Sequence, residues 1–284
     1  MNDAQDFAKR IKKFYYYRAF LCEQLINRGV TVTDHGIEMP PADFNPFANF
    51  YVDAYVIGCA SIDGLASIWE SISQCQCSGN RNRFTAFLIN LDTRNQMERI
   101  CTPFLVFFLN KQGIEKPFAQ EVKAKWLENR CERESHRVYA DPTISELKTV
   151  YKNCHRQHPI SADLSLQNLD SAISNFTYAA LVYKFYRCSF VHEFRASQFA
   201  TFFNTGNEIS VREFHSMISP SGVETRVDEV KPQLDIGIGV LTESIRRGAD
   251  TVYDLIVDKQ CTDIPYGSND EVKLKVKQKP GDAV

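Results

Sequence analysis

The chain of 284 residues has the composition of an ordinary globular protein, with 44 % hydrophobic and 24 % charged residues, and it is long enough for one large domain or two modest ones. A formal charge of −2 excludes a global attraction to nucleic acid or to an anionic membrane, so any site for a polyanion has to be a local patch. The first residues mix acids with bases and do not resemble a secretory signal.

The distribution of apolar residues and cysteines predicts a soluble protein. The longest apolar run that suggests a membrane span, Phe104–Leu109, is far shorter than the roughly 20 residues that a span needs. Nine cysteines, an odd number scattered along the chain, fit reduced thiols better than a disulfide framework. We therefore expect a cytoplasmic protein that makes no membrane contact.

Helical periodicity dominates the first part of the chain. Residues 3–28 place apolar side chains at intervals of three and four, and Gly29 follows as a stop, so they predict a first helix. Residues 30–49 carry three prolines and predict a loop. The run 50–73 is apolar around most of its circumference, which predicts a helix buried on several sides at the centre of the fold.

Shorter helical patterns follow this central run, near 83–91, 98–111, 117–133 and from about 143 onward. Residues 166–197 contain neither glycine nor proline and predict one long, uninterrupted helix.

After this helix the pattern changes to that of a strand. Residues 207–217 alternate in period two, 220–222 form a turn signal, and 222–230 predict a return strand. A last helix over 233–258 precedes a tail in which apolar residues alternate with lysines, as in a protected edge strand or a disordered segment. We expect a single all-α bundle with a small β-hairpin.

The segment LVYKFYRCSFVHEF, Leu181–Phe194, is unusual because it carries Arg187 and His192 among aliphatic and aromatic residues. Burial of an unpaired guanidinium costs several kcal/mol, so a partner is expected, and Asp63 in the central helix is the candidate. Five positions on an ideal helix turn a side chain by about 140°. The pair is therefore expected at an interface, where a second copy of the chain completes the cluster.

The motif YKFYRCSFVHE near the end of a long helix resembles the signature of the HEPN superfamily, all-helical domains whose active members carry Arg, four to six residues, then His. The segment IDGLASIWES followed by GNRNRFTAFL resembles the second-helix region of bacterial HEPN-like proteins. The resemblance covers about residues 50–200, and it makes 1–49 an N-terminal helix and loop, 201–260 the hairpin and final helix, and 261–284 a tail.

The resemblance implies metal-independent cleavage of RNA across a homodimer, in a toxin or anti-phage setting with a possible antitoxin or operon partner, and without a cofactor. Arg187 and His192 are the residues to which it points. The position after the arginine, which is often Asn, Asp or His in active members, is Cys188 here, and Phe194 stands where family toxins paired with nucleotidyltransferase antitoxins carry tyrosine.

These two residue types suit such a reaction. An imidazole, whose pKa is ordinarily near 6.5, can remove the proton of a 2′-hydroxyl or protonate the leaving 5′-oxygen, and a guanidinium can hold the phosphate. Ser189 and Glu193 are candidates for orienting the imidazole.

Other functions are compatible with the same residues. Arg187 and Asp63 can form a purely structural salt bridge that pins two helices together. The chain can also be a non-catalytic HEPN-like module that binds nucleotides or proteins, or a structural dimerisation protein that uses the aromatic stretch FYYYRAF for its interface.

Three weaker patterns complete the candidates. Arg81 and Arg83 could contact phosphates at a helix start, although a solvated loop is the more ordinary interpretation. The Gly-x-Gly at Gly237 lacks a third glycine and a preceding strand, so it predicts close helix packing. No metal site is predicted, because the only set with zinc-ligand residue types has unsuitable spacing; its members are Cys75, Cys77, Cys154 and His158.

Overall fold

The computed structural model describes residues 3–28, 31–33, 36–38, 50–75, 77–113, 115–127, 141–157, 168–195, 197–201, 204–214 and 231–263. The described part is mostly helical and carries a small three-stranded sheet, which agrees with the predicted all-α character. The helices are α1 (Asp3–Arg28), α2 (Tyr51–Ser73), α3 (Gly79–Leu91), α4 (Thr102–Gln112), α5 (Lys116–Trp126), α6 (Ile144–Gln157), α7 (Leu169–Ser174), α8 (Tyr178–Val182), α9 (Cys188–Glu193) and α10 (Ile238–Asp258). The strands are β1 (Thr31–Thr33), β2 (Gly36–Glu38), β3 (Ala200–Thr201), β4 (Ile209–Phe214) and β5 (Lys231–Ile236).

Helix α2 is the centre of the main hydrophobic core, as its sequence predicts. It packs against α1, α3, α9 and α10, and Tyr55, Ile62 and Leu65 are completely buried. Gly248 of α10 allows a close approach, since a Cβ there would lie 2.9 Å from the ring of Phe87. A second core is built around α4–α7, where the rings of Phe118 and Tyr151 meet edge to face.

Helix α2 is also long and apolar enough to cross a membrane, by length and composition alone. Half of its most apolar window is buried inside the protein, and the core helix of a soluble protein satisfies the same test. The sequence had suggested Phe104–Leu109 as the longest candidate for a membrane span, so α2 was not recognised as one. The expectation of a cytoplasmic protein without membrane contact stays a prediction.

The predicted loop over 30–49 is wrong in part. Strands β1 and β2 form a short antiparallel pair with Val32 opposite Ile37. Three-residue strands leave too few alternating positions for period two to be recognised in a sequence. The remainder of that interval, residues 39–49, lies outside the described residues.

The single helix predicted over 166–197 is interrupted at 175–177. Thr177 adopts an extended conformation with ψ of 147° and its hydroxyl accepts the N–H of Ala180, so it caps a new helix, α8. Thr177 also forms a β-bridge with Ile100, and Tyr178 N–H donates to the carbonyl of Arg99 at 3.1 Å. These hydrogen bonds to the segment before α4 explain the break, because a continuous helix would leave them unmade.

Beyond Val182 the helix continues through a π-helical turn, Tyr183–Arg187, into α9. The N–H of Cys188 donates to the carbonyl of Tyr183, five residues earlier. Such wider turns within α-helices are rare and frequently occur at functional sites.

The hairpin prediction is confirmed for its first strand, and the predicted start of the last helix at 233 is wrong. Strand β4 lies within the predicted 207–217, but it pairs antiparallel with β5, where the sequence predicted the start of the last helix at 233. Strand β5 is the middle strand of the sheet, and its other edge pairs with β3 at Leu234 and Asp235. Pro232, which has no N–H to donate, therefore pairs with β4 but not with β3. The predicted return strand 222–230 and the tail beyond 263 lie outside the described residues.

Strand β5 leads directly into α10, so the Gly-x-Gly at Gly237 does follow a strand, contrary to the expectation. Close packing is nevertheless confirmed, because a Cβ on Gly237 would lie 2.0 Å from the carbonyl oxygen of Gly206. The N–H groups of Ile238 and Gly239 donate to the carbonyls of Asn204 and Gly206 at 3.0 Å. Protein carbonyls therefore occupy the donors that a phosphate would need.

Tyr186, in the π-helical turn, connects the sheet to the motif helix. Its buried hydroxyl accepts the N–H of Ile236 at 3.0 Å. The single proton of this hydroxyl is shared between two acceptors, the carbonyl oxygen of Thr201 at 2.5 Å and that of Leu234 at 2.8 Å.

Replacement of Tyr186 by phenylalanine is expected to lower the free energy of unfolding by about 1–3 kcal/mol, because the buried N–H of Ile236 loses its acceptor. Urea denaturation measures this loss. Tyr17→Phe is the matched control, since that side chain is 64 % exposed, and it should change stability by less than about 0.5 kcal/mol. Equal effects of the two substitutions would contradict the proposed anchoring.

Candidate functional site

Arg187 and Asp63 form the ion pair that the sequence predicts. Arg187 Nη2 donates to Asp63 Oδ2 at 2.7 Å, which joins the end of the π-helical turn to α2. Arg187 is only 9 % exposed. Burial alone would lower the pKa of Arg187, but the hydrogen bond and negative charge of Asp63 outweigh it and the pKa is raised. The guanidinium therefore stays charged although it is buried.

His192 meets the same guanidinium on the solvent side. Arg187 Nη1 and His192 Nε2 lie 2.5 Å apart, and His192 is exposed in the last turn of α9. The long arginine side chain spans the angular offset of about 140° that separates the two positions on an ideal helix. Arg187 is thus buried, whereas His192 is exposed although its neighbours in the sequence are aliphatic and aromatic.

The contact defines the tautomer of the imidazole. A guanidinium has only N–H donors and no acceptor, so Nε2 of His192 has to be the acceptor. The ring proton is then on Nδ1, the nitrogen that is not engaged by Arg187. This arrangement leaves one imidazole N–H available at the protein surface.

A second arginine extends the cluster along α2. Arg83 of α3 lies 3.4 Å from Asp63 Oδ1 and 3.5 Å from Glu70 Oε2, and the N–H of Cys77 donates to Glu70. Asp63 therefore accepts from two guanidinium groups, and Glu70 balances the second. Because Asp63 and Glu70 are seven positions apart, they lie on one face of α2.

The cluster contains unsatisfied donors. The Nε–H groups of Arg83 and Arg187 are buried and have no hydrogen-bond partner among the described residues. Each such group costs about 1–3 kcal/mol of desolvation. A salt bridge selected for stability alone would be expected to satisfy these donors.

The predicted supporting residues Ser189, Glu193 and Cys188 make different contacts. Glu193 Oε2 accepts from Arg195 Nε at 2.7 Å, and within the described part of the chain no hydrogen bond joins Ser189 or Glu193 to His192. The proposed orienting role of these two residues is therefore not seen in this geometry. Cys188 is half-buried and hydrogen-bonds with Tyr183.

Arg81 and Arg83 lie in the first turns of α3, so the solvated loop expected for this stretch is wrong. Arg83 is half-buried and engaged by two carboxylates, which makes it a part of the ion cluster and not a free phosphate contact. Arg81 is exposed and donates to Asn175 Oδ1 at 2.5 Å.

The cysteines of the rejected zinc set do not converge with a histidine. Cys75 and Cys77 have their sulfur atoms 3.8 Å apart, whereas Cys154 belongs to the second core and His158 lies outside the described residues. Over the described ranges, no group of three or more His, Cys, Asp or Glu side chains is placed to hold a metal ion.

A groove of about 650 Å³ opens beside the cluster. Its lining includes Tyr183 and Cys188, which flank the motif, and Arg81, which the sequence suggested as a phosphate contact. It also includes residues that were not predicted from the sequence: Phe108, Gln112, Asn175, Phe176 and Lys184. Tyr183 lies between groove and cluster, with its ring centroid 5.5 Å from Arg187 Cζ. Its position four residues before Arg187 was the only sequence signal for this neighbour.

Comparison of the chain with protein-family models, with curated proteins and with solved structures finds no match. The resemblance to HEPN proteins therefore remains an expectation from the motif. The functional proposal therefore rests on the motif and on the geometry of the side chains.

The ion pair should couple the stability of α2 to that of the motif helix. In a double-mutant cycle of Asp63→Ala and Arg187→Ala, we expect a coupling of about 1–3 kcal/mol, because removal of either partner leaves a largely buried charge. Chemical denaturation of the four proteins measures it.

The exposed pair Glu193–Arg195 provides the control cycle, since its side chains are 51 % and 76 % exposed. Its coupling should stay below about 1 kcal/mol. If the coupling free energy of Asp63 and Arg187 is no larger than that of the control pair, the ion pair does not hold the two helices together.

Proposed function

We propose that this protein is a HEPN-type endoribonuclease that cleaves RNA without a metal ion. The observation that carries the proposal is the contact between the Arg187 guanidinium and the exposed His192 imidazole at 2.5 Å. A largely buried permanent cation thus contacts an exposed proton-transfer group, and RNA cleavage needs both of these functions. The position of the motif at the end of a helix in a mostly helical protein is consistent with the resemblance.

In the proposed reaction the phosphate of the RNA displaces Nε2 of His192 from Arg187 Nη1. The freed Nε2 removes the proton of a 2′-hydroxyl, and the resulting oxygen attacks the adjacent phosphorus. The bond to the 5′-oxygen breaks, a protonated imidazole supplies the proton to that oxygen, and the products are a 2′,3′-cyclic phosphate and a 5′-hydroxyl. Arg187 stabilises the charge that grows on the phosphoryl oxygens. Asp63 keeps the guanidinium in place.

A homodimer would supply a second imidazole for the second proton transfer. Phe194, two residues beyond His192, is 63 % exposed and adopts the left-handed conformation with φ of 51°. In this proposal the second copy of the chain would pack near Phe194, on the surface that carries His192.

A structural role is the main alternative, and the nearly complete burial of Arg187 between two helices favours it. The salt bridge between Arg187 and Asp63 would be sufficient for such a structural role, without His192. The exposed His192 in contact with Arg187 is not required by it.

The proposal predicts cleavage of single-stranded RNA in the presence of EDTA, with cyclic-phosphate ends detected by mass spectrometry. His192→Ala and Arg187→Ala should each reduce the rate by about 10²–10⁴, the usual contribution of a positioned acid–base group or charge stabiliser. Circular dichroism checks that both variants remain folded.

His155→Ala is the control, because this exposed histidine lies in α6, away from the motif helix. Its ring centroid is 6.3 Å from that of Tyr151, a residue of the second core. It should cleave at the wild-type rate. Full activity of folded His192→Ala, or activity that requires added metal, would refute the assignment.

A further inference from the structure

The groove beside Arg187 has the size of a small-ligand site. Its volume of about 650 Å³ falls in the range of roughly 300–1,000 Å³ that is usual for such pockets. It lies between the start of α3, helix α4, the turn before α8 and the π-helical turn. None of the ion-cluster residues lines the groove. Only Tyr183 and Cys188, which flank the motif, connect the two regions.

Aromatic rings form the walls of the groove. Phe108 and Phe176 have ring centroids 5.8 Å apart, and these two residues and Tyr183 are all half-buried, which leaves part of their ring surfaces open to the groove. Burial and the neighbouring Cys188 raise the pKa of Tyr183, so its phenol stays neutral. Aromatic faces of this kind are stacking platforms for nucleobases.

The charge of the groove is positive although the chain as a whole is slightly acidic. Arg81 and Lys184 are exposed at its edge, and none of the described residues that line it is an aspartate or glutamate. Lys184 lies 5.4 Å from the ring centroid of Phe108 and has no carboxylate partner among the residues that the structure describes. A ligand with an aromatic ring and a negative charge is complementary to this combination.

Tyr183 lies between the groove and the candidate catalytic pair, neither member of which is part of the lining. One side of this residue lines the groove, and its ring centroid is 5.5 Å from Arg187 Cζ. A base stacked in the groove would therefore have its phosphate near Arg187.

We infer that the groove binds one unpaired nucleotide of the RNA, with the base against Phe108, Phe176 and Tyr183 and the phosphate toward Lys184 and Arg187. This inference rests on the proposed function for the identity of the ligand as RNA. It makes the substrate single-stranded, because a base paired in a duplex cannot enter the groove.

The test measures binding apart from cleavage. A fluorescein-labelled hexanucleotide with 2′-O-methyl groups cannot undergo attack by its 2′-oxygen, so fluorescence anisotropy gives its Kd on the intact wild-type protein. Phe108→Leu and Lys184→Ala should each raise Kd about tenfold, the size expected for loss of a base stack or a phosphate contact. Lys184→Ala should also reduce the slope of log Kd against log salt concentration by about 0.7.

Matched controls are Phe20→Leu on α1, where the phenylalanine is 50 % exposed, and Lys152→Ala on α6, where the lysine is exposed. Both should bind within twofold of wild type, and the same oligonucleotide annealed to its complement should bind at least tenfold more weakly. Since Phe108 also packs near Phe199, circular dichroism checks the fold, and the exposed Lys184 carries the test if Phe108→Leu unfolds.

The outcomes separate this inference from the proposed function. Cleavage of RNA by wild-type protein with unchanged Kd and KM in both groove variants overturns the groove and leaves the nuclease intact. Binding that the groove variants weaken, without any cleavage, supports the groove and refutes the nuclease. Absence of oligonucleotide binding by the wild-type protein overturns the groove inference.

Discussion

The candidate site depends on the contacts of the Arg187 guanidinium, which lies between a half-buried carboxylate and an exposed imidazole. Asp63 offsets the cost of burying the charge, and the same side chain reaches the surface at His192. Since Asp63 belongs to the central helix α2, the site is fixed to the core of the protein. The chemistry therefore depends on the packing of α2 against the motif helix, and not on a mobile loop.

The charge balance around this guanidinium separates two neighbouring regions. In the cluster, Arg83 and Arg187 are matched by Asp63 and Glu70, so the buried part carries little net charge. In the groove, Arg81 and Lys184 are the charged residues among the described part of the lining. A nearly neutral interior beside a positive groove is an arrangement that can attract a phosphate without a basic chain overall.

Sequence periodicity was sufficient for the elements whose form is decided locally. The helix over 3–28, the buried central helix and the strand around Val211 follow from spacing alone, and the Asp63–Arg187 pair follows from the cost of a buried charge. The break at Thr177 and strand β5 could not be predicted in this way, because hydrogen bonds to distant segments decide them. The π-helical turn has no periodic signature, so the groove beside it was not foreseen.

The most direct test of this account is the state of the His192 ring. Long-range ¹H–¹⁵N NMR of histidine-labelled protein at mildly alkaline pH distinguishes the two neutral tautomers. The account predicts a proton on Nδ1 and a bare Nε2 in the wild-type protein, and a mixture of tautomers in Arg187→Gln, which lacks the guanidinium. A proton on Nε2 of His192 in the wild-type protein would contradict the contact with Arg187 and, with it, the proposed site.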